Sequence, residues 1–301
     1  MKQMEYHNPV LLHESVDGLN IVADGVYVDV TFGGGGHSKE ILSRLGDHGR
    51  LFAFDQDKDA LENALDDDRF VLINENFRYI KRFLRLYGVR KVDGILADFG
   101  VSSHQFDVPE RGFSTRFDAA LDMRMNQGDK LSAFHVVNEY DEKHLAEIFR
   151  QYGELRQAPA MAREIVHQRK TEAITTGKEL KEVLSKFLGH RHENKVLAQI
   201  YQALRIEVNQ ELEVIKAFLL QVPELLNPKG RLSAISYHSL EDRLVKRFIR
   251  NGLFEGEPEK DIYGNVEVPL KKVGGLIVPS AAEIQQNSRA RSAKLRVAEK
   301  L

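Results

Sequence analysis

The stretch Val26-Tyr-Val-Asp-Val-Thr-Phe-Gly-Gly-Gly-Gly-His-Ser38 decides how this chain folds. Its β-branched and aromatic residues predict a strand over 26–32, which four glycines then break. Ile41, Leu42 and Leu45 follow at helical spacing, and Gly46 ends the pattern. The same alternation continues downstream. Leu51–Phe54 reads as a second strand, and Asp57 is placed to cap a helix carrying Ala60, Leu61, Ala64 and Leu65. Phe70–Ile73 is a third strand, a basic aromatic helix covers Ile80–Leu86, and Val92–Phe99 is a fourth strand. Strand–helix alternation at this pitch implies a mainly parallel, doubly wound α/β sheet.

The next strand pattern appears only at Arg231–Tyr237, after a turn signal at Leu225-Leu-Asn-Pro-Lys-Gly230. One crossover needs about 30 residues in all, far fewer than lie between. The surplus has helical periodicity over Ala133–Tyr152, Pro159–Arg169, Thr176–Leu188 and Lys195–Leu226, with Thr175 and Thr176 as N-cap candidates. A structureless loop of that length is implausible, so an inserted helical domain is expected over 105–214, dividing a sheet domain into 1–104 and 215–301. Lys294–Ala298 is expected to be a final edge strand.

Composition bounds the function. The 301 residues are 42% hydrophobic and 29% charged, ordinary globular values. There is no cysteine, which excludes disulfides, thiolate nucleophiles and cysteine metal sites. Met1–Pro9 has no apolar run, so it does not read as a secretory signal. The longest uncharged apolar stretch, Val273–Ala282, is too short to cross a bilayer, and a cytoplasmic protein is expected. The net charge of −2 argues against a general nucleic-acid binder. The charges are unevenly spread, however. Arg78–Lys91 holds six basic residues and no acid, interleaved with Tyr79, Phe83 and Tyr87, and Arg289–Leu301 holds five basic residues against Glu299. Each is equally a solvated face or a phosphate contact.

The strand-to-helix turn is where chemistry is expected. Asp29 precedes Gly33-Gly-Gly35, whose glycines let a ligand approach the backbone in front of a helix N-terminus. Asp55 closes the second strand at the spacing of a carboxylate that binds a ribose diol. A dinucleotide fingerprint needs Gly or Ala where this chain has Ser38 or Lys39, so S-adenosylmethionine, which has no pyrophosphate, fits better. Asp98 ends the fourth strand beside the same crevice. There it would grip the N–H groups of an exocyclic amine and draw its lone pair out of conjugation, with Phe99 as a stacking surface, unless it serves only to cap the turn or bind cofactor. His37 has no second ligand at metal spacing, and His190-x-His192 reads as plain surface, so no metal site is expected. Arg111-Gly-Phe-Ser114, Leu121-Asp-Met-Arg-Met125, Tyr201–Asn209, Tyr237–Arg243 and Asn287–Ser292 are dense in guanidinium and amide groups. These suit phosphate and base contacts, or equally act as internal struts. Met123 and Met125 read as packing.

Across essentially its whole length the sequence resembles the RsmH (MraW) family of bacterial small-subunit ribosomal RNA cytidine methyltransferases. The matching motifs run in order: His7-Asn-Pro-Val-Leu-Leu12, Asp29–Ser38, Gly100-Val-Ser-Ser103, Arg111–Ser114, Leu121–Met125, Gln202-Ala-Leu-Arg-Ile206, His238-Ser-Leu-Glu-Asp-Arg243 and Asn287–Val297. The resemblance implies a class I (Rossmann-like) S-adenosylmethionine-dependent methyltransferase sheet with an inserted α-helical domain. It also implies methyl transfer to the N4 amine of a cytidine in the decoding centre. Cofactor contacts would be Gly33, Gly35, Gly36, His37, Asp55, Phe77, Asp98 and Gln105. Arg111, Arg124, Arg205, His238, Arg289 and Arg291 would face RNA, with small-subunit ribosomal RNA in an assembled subunit as partner and a homodimer left open. Three features depart from the family pattern: Phe99 and His104 replace Leu and Pro, Glu193-Asn-Lys-Val-Leu197 replaces a His-Pro-Ala-Thr-Arg run, and Phe254–Val273 is shorter. Competing readings are a methyltransferase acting on another RNA, a protein or a small molecule, a non-catalytic RNA-binding factor, and a dehydrogenase.

Overall fold

The computed structural model describes residues 9–189, 192–259, 263 and 266–301. The chain divides into two compact units, one comprising Met1–Gly100 with Leu212–Leu301 and the other Val101–Glu211. His190, one of the two histidines of the His-x-His pair, lies outside the described residues, as do His7 and Asn8 of the first family motif.

The first unit is built on a seven-stranded sheet: β1 (Val26–Asp29), β2 (Arg50–Phe54), β3 (Phe70–Ile73), β4 (Val92–Asp98), β5 (Leu226–Ser236), β6 (Leu270–Ile277) and β7 (Lys294–Lys300). Their order is β3-β2-β1-β4-β5-β7-β6. The first five run parallel, whereas β7 is antiparallel to both β5 and β6. The mainly parallel, doubly wound α/β sheet expected from the strand–helix alternation is present. The expected edge position of the last strand is corrected: β7 lies between β5 and β6. The β6 segment has an alternation weakened by Gly274 and Gly275 and a register shift between Val273 and Ile277, so the sequence pattern hid it.

Both faces of the sheet are covered, as the period-two side-chain alternation requires. Val28, Phe52, Ile95 and Ala97 join one core with Ile80 and Leu84, Phe218 and Val222, and Val245 and Phe248 from three helices. Their neighbours Tyr27, Leu51 and Leu96 point the other way, to Val16 and Leu19 of helix Leu12–Leu19 and Ile41 and Leu42 of helix Gly36–Arg44. All but the first residue of the Leu225–Gly230 turn signal falls inside β5. Val92 pairs with Leu226 and Gly94 with Arg231, so residues 227–230 bulge outward, with Lys229 at a φ of 67°.

The second unit is helical: Ser103–Asp107, Ala133–Glu139, Glu142–Gln151, Ala158–Gln168, Gly177–Val183, Ser185–Leu188 and Glu193–Asn209. Two long helices expected from periodicity are each broken. Tyr140 leaves the helical region at a ψ of 143°, and Gln210 turns left-handed at a φ of 51°. Asp141 restarts the first as a side-chain N-cap. Thr176 closes a capping box with Glu179, as an N-cap candidate should. Met123 and Met125 are buried in this unit's own core beside Phe113, Phe149 and Leu204.

Phe218 is fully buried and stacks edge-on against Phe77 and Phe99, at 5.4 and 6.1 Å between ring centroids. Truncating it to alanine should cost about 3–5 kcal/mol, a fall in thermal midpoint of roughly 10 °C, read by calorimetry of the purified chain.

Candidate active site

Parallel pairing brings the carboxyl ends of β1, β2, β4 and β5 to one rim. Asp29 is level with Ala53 and Leu96, and Asp98 with Ile235. The chain order reverses between β1 and β4, which opens a crevice beyond those strand ends. The glycine turn, Asp55, Phe77, Asp98 and Tyr237 all belong to this rim of the first unit.

The turn is tight for a physical reason. Gly35 has a φ of 75°, and a Cβ there would lie 2.8 Å from the Phe32 ring; a Cβ on Gly36 would lie 2.1 Å from Pro9. Only glycine fits both positions. Asp29 has no solvent exposure. It holds the turn by accepting from Ser38 Oγ at 2.7 Å and from the Thr31 amide at 3.1 Å. Thr31 Oγ1 in turn accepts from the Asp98 amide at 2.7 Å, tying β1 to β4. Gly33 donates its amide to Asp55 Oδ2 at 2.8 Å, and Asp57 donates to Asp55 Oδ1 at 2.9 Å. The Asn74 side chain bonds the Asp55 carbonyl. Burial pushes Asp29 and Asp55 up to about 6 against these hydrogen bonds.

Asp98 is the centre of the rim. Its Oδ1 accepts from the Tyr237 hydroxyl at 2.8 Å, and its Oδ2 is 3.9 Å from His37 Nδ1. Burial raises its pKa to about 6, while His37 and the Tyr237 hydrogen bond pull it down. The side chain keeps 22% of its surface exposed, so water moderates that upward push. His37 is buried, with Nε2 3.3 Å from the Val10 carbonyl, and burial lowers its pKa, which favours the neutral ring. Tyr237 is pushed well above the ordinary phenol range, by burial first and then by the Asp98 charge, and so stays a donor. Glu241 accepts the Tyr237 amide at 2.8 Å and fixes its backbone.

Of the residues expected to meet cofactor, Gly33, Gly35, Gly36, His37, Asp55, Phe77 and Asp98 are collected here. Gln105 belongs to the second unit, where its side chain closes a capping box with Ser102. Phe99 corrects an expectation: at 2% exposure it packs within the Phe77–Phe99–Phe218 ring cluster and offers no stacking surface.

The expected RNA contacts separate sharply. Arg111 is 5% exposed and donates to the carbonyls of Arg124 and Met125, bracing a loop from inside. Arg124 clamps Asp122 and the carbonyls of Gln127 and Asp129. Arg205 makes a bidentate pair with the buried Glu211. His238 is the N-cap of helix Ser239–Asn251, its side chain 10% exposed. These four act as struts, since the partners just named lie in each residue's own unit. Arg289 is half-buried and Arg291 exposed on the turn before β7. The expected site contains neither Tyr237 nor Glu241, although both share the Tyr237–Arg243 motif with His238. No sequence signal announces that the Tyr237 hydroxyl meets a residue 139 positions away.

Replacing Tyr237 by phenylalanine removes a hydrogen bond that favours the ionised carboxylate, so the Asp98 pKa should rise further above about 6. Carboxyl-detected NMR titration of the labelled protein measures this, with Asp29 and Asp55 as internal references.

Close relatives share this chain from end to end. Ribosomal RNA small subunit methyltransferase H of Christiangramia forsetii is 71% identical over 99% of this chain and 99% of its own. The proteins of that name from Flavobacterium johnsoniae and Bacteroides thetaiotaomicron are 69% and 54% identical. The first alignment covers 99% of each chain, and the second covers 99% of this chain and 98% of its relative. Among solved structures, an rRNA methylase from Streptococcus thermophilus aligns at a TM-score of 0.39 and 13% identity over 96% of both chains. The match that spans the sheet, the insertion and the carboxyl-terminal strands is the family's own model, which covers residues 4–301, and the chain belongs to the MraW methylase family.

Proposed function

We infer that this chain transfers a methyl group from S-adenosylmethionine to the exocyclic N4 amine of a cytidine in the decoding centre of small-subunit ribosomal RNA. The observation that carries the reading is the Asp98 carboxylate, held on one oxygen by Tyr237 and turned on the other towards His37, at the strand rim beside the glycine turn. The names of the full-length relatives support the substrate class. The helical unit would then recognise the RNA, within an assembled subunit in the cytoplasm. No described helix is long and apolar enough to cross a membrane.

The rim suits the cofactor. The four glycines at 33–36 add no side chain of their own before the amino end of helix Gly36–Arg44. When bound, S-adenosylmethionine supplies a methyl carbon made electrophilic by its sulfonium, which departs as a thioether. Asp55, which takes one backbone amide on each oxygen and has lone pairs left over, would hold the ribose hydroxyls. Phe77, half-buried, would offer its ring to the adenine.

Asp98 does the chemistry on the acceptor. An exocyclic base amine is a weak nucleophile because its lone pair is delocalised into the ring. An ionised Asp98 accepts one amine N–H, turns the lone pair towards the methyl carbon, and stands ready to take the proton the product must lose. Tyr237 keeps the carboxylate from rotating away, and positioning of this kind supplies a large part of such a rate. The cytidine has to leave its stack to reach the rim.

Labelled methyl should pass from S-adenosylmethionine to small subunits isolated from cells lacking the protein, and nucleoside mass spectrometry should show N4-methylcytidine as the single product. Asp98→Asn should lower kcat by roughly 100-fold or more while cofactor still binds; survival of transfer in that variant would exclude the role given to Asp98. At saturating cofactor the rate should fall as pH drops through about 6, where Asp98 gains a proton and can no longer accept. Cofactor affinity should weaken in the same direction as Asp55 protonates.

A further inference from the structure

The basic aromatic segment Arg78–Lys91 takes no part in the strand rim described above. It forms helix Ile80–Leu86 and the turn that leads into β4. Lys81, Arg85, Arg90 and Lys91 line a depression of about 650 Å³, with Glu224 the one acid among its described lining residues. That acid is engaged by Lys81, and the positive field of Arg85 and Lys91 helps hold it ionised. Arg82, Arg85, Arg90 and Lys91 are exposed, so cations remain in excess over the one carboxylate. Exposed aromatic and apolar surface is interleaved with them: Tyr79 at 44%, Tyr87 at 45% and Leu86 at 71%.

We propose that this cationic depression is a second docking site for RNA, one that grips backbone phosphates away from the methylation rim. The inference rests on the RNA-methylating reading given above and extends it. The cations are spread along one helix and the following turn instead of converging on a point, which fits a polyanion better than a single phosphate. Exposed tyrosines among arginines add stacking surface for unpaired bases. Lys91 immediately precedes β4 and Asp98 ends it. The two sites therefore sit at opposite ends of one rigid strand, about 20 Å apart at about 3.3 Å per residue. Phosphate contacts at that remove position the strand without reading its sequence, so binding energy gained there brings the acceptor base to the rim.

The triple variant Arg85→Ala/Arg90→Ala/Lys91→Ala tests this, since all three side chains are exposed and none belongs to a core; an unchanged thermal midpoint establishes that it folds. The probe is a fluorescein-labelled RNA hairpin with the small-subunit decoding-region sequence, titrated by anisotropy between 50 and 200 mM salt. The variant should bind at least roughly 10-fold more weakly at the low-salt end. Its slope of log affinity against log salt should be shallower by about 2, as expected for three lost single-strand phosphate contacts. The KM for small subunits should rise while kcat and S-adenosylmethionine affinity hold. Equal RNA affinity and equal salt slope in the two proteins would overturn the proposal. So would a variant whose sedimentation mass changes while its RNA affinity does not, because the cations would then join copies of the chain. If the wild-type protein transfers no methyl to subunits, the functional reading fails by itself, and the anisotropy comparison still decides whether this surface holds RNA.

Discussion

A single line of hydrogen bonds ties the reactive end of the sheet together. It starts at Asp29, a carboxylate without solvent exposure, which takes the Thr31 amide and the Ser38 hydroxyl. Thr31 then takes the Asp98 amide, Asp98 takes the Tyr237 hydroxyl, and Tyr237 gives its amide to Glu241. The line crosses β1, β4 and the end of β5 in turn. A buried carboxylate is tolerable only while such partners are kept, so the geometry of the glycine turn and the direction of the Asp98 carboxylate are set together. The raised pKa values of Asp29, Asp55 and Asp98 are the electrostatic trace of the same burial.

The aromatic packing beneath that rim serves a related end. Phe77 follows β3, Phe99 follows β4, and Phe218 comes from the helix that leads back into the sheet after the long insertion. Their rings meet within 5.4 to 6.1 Å. Phe99, at a position where the family pattern has leucine, fills this cluster. The returning helix is thereby packed against the residues that follow β3 and β4.

Arginine-rich motifs prove to be of two kinds. Those embedded in the helical unit, at Arg111, Arg124 and Arg205, spend their donors on carbonyls and carboxylates of their own unit. A guanidinium has five donors in a fixed fork, and an irregular loop full of orphaned carbonyls is a natural partner for it. The cations of Arg85, Arg90 and Lys91, by contrast, stand on an exposed helix and turn. Spacing in the sequence does not separate the two cases, because both look like a cation among polar residues.

What this sequence determined by itself was whatever depends on near neighbours. Residues 26–38 carry a strand, a glycine turn and a helix start. Period-two alternation orients both faces of β1, β2 and β4, and Thr176 caps a helix with Glu179. The ordered family motifs point to the same sheet and the same crevice. Tertiary structure decided what depends on distant partners. The inner place of β7 became plain only once β6 had paired with it. The breaks at Tyr140 and Gln210 arise where backbone torsions override a continuous apolar period. Tyr237 became part of the site because the parallel register of β4 and β5 carries its hydroxyl to Asp98 across 139 residues of chain. Hydrogen bonds of that kind leave no periodicity in the sequence, since strand pairing creates the neighbourhood in which they form.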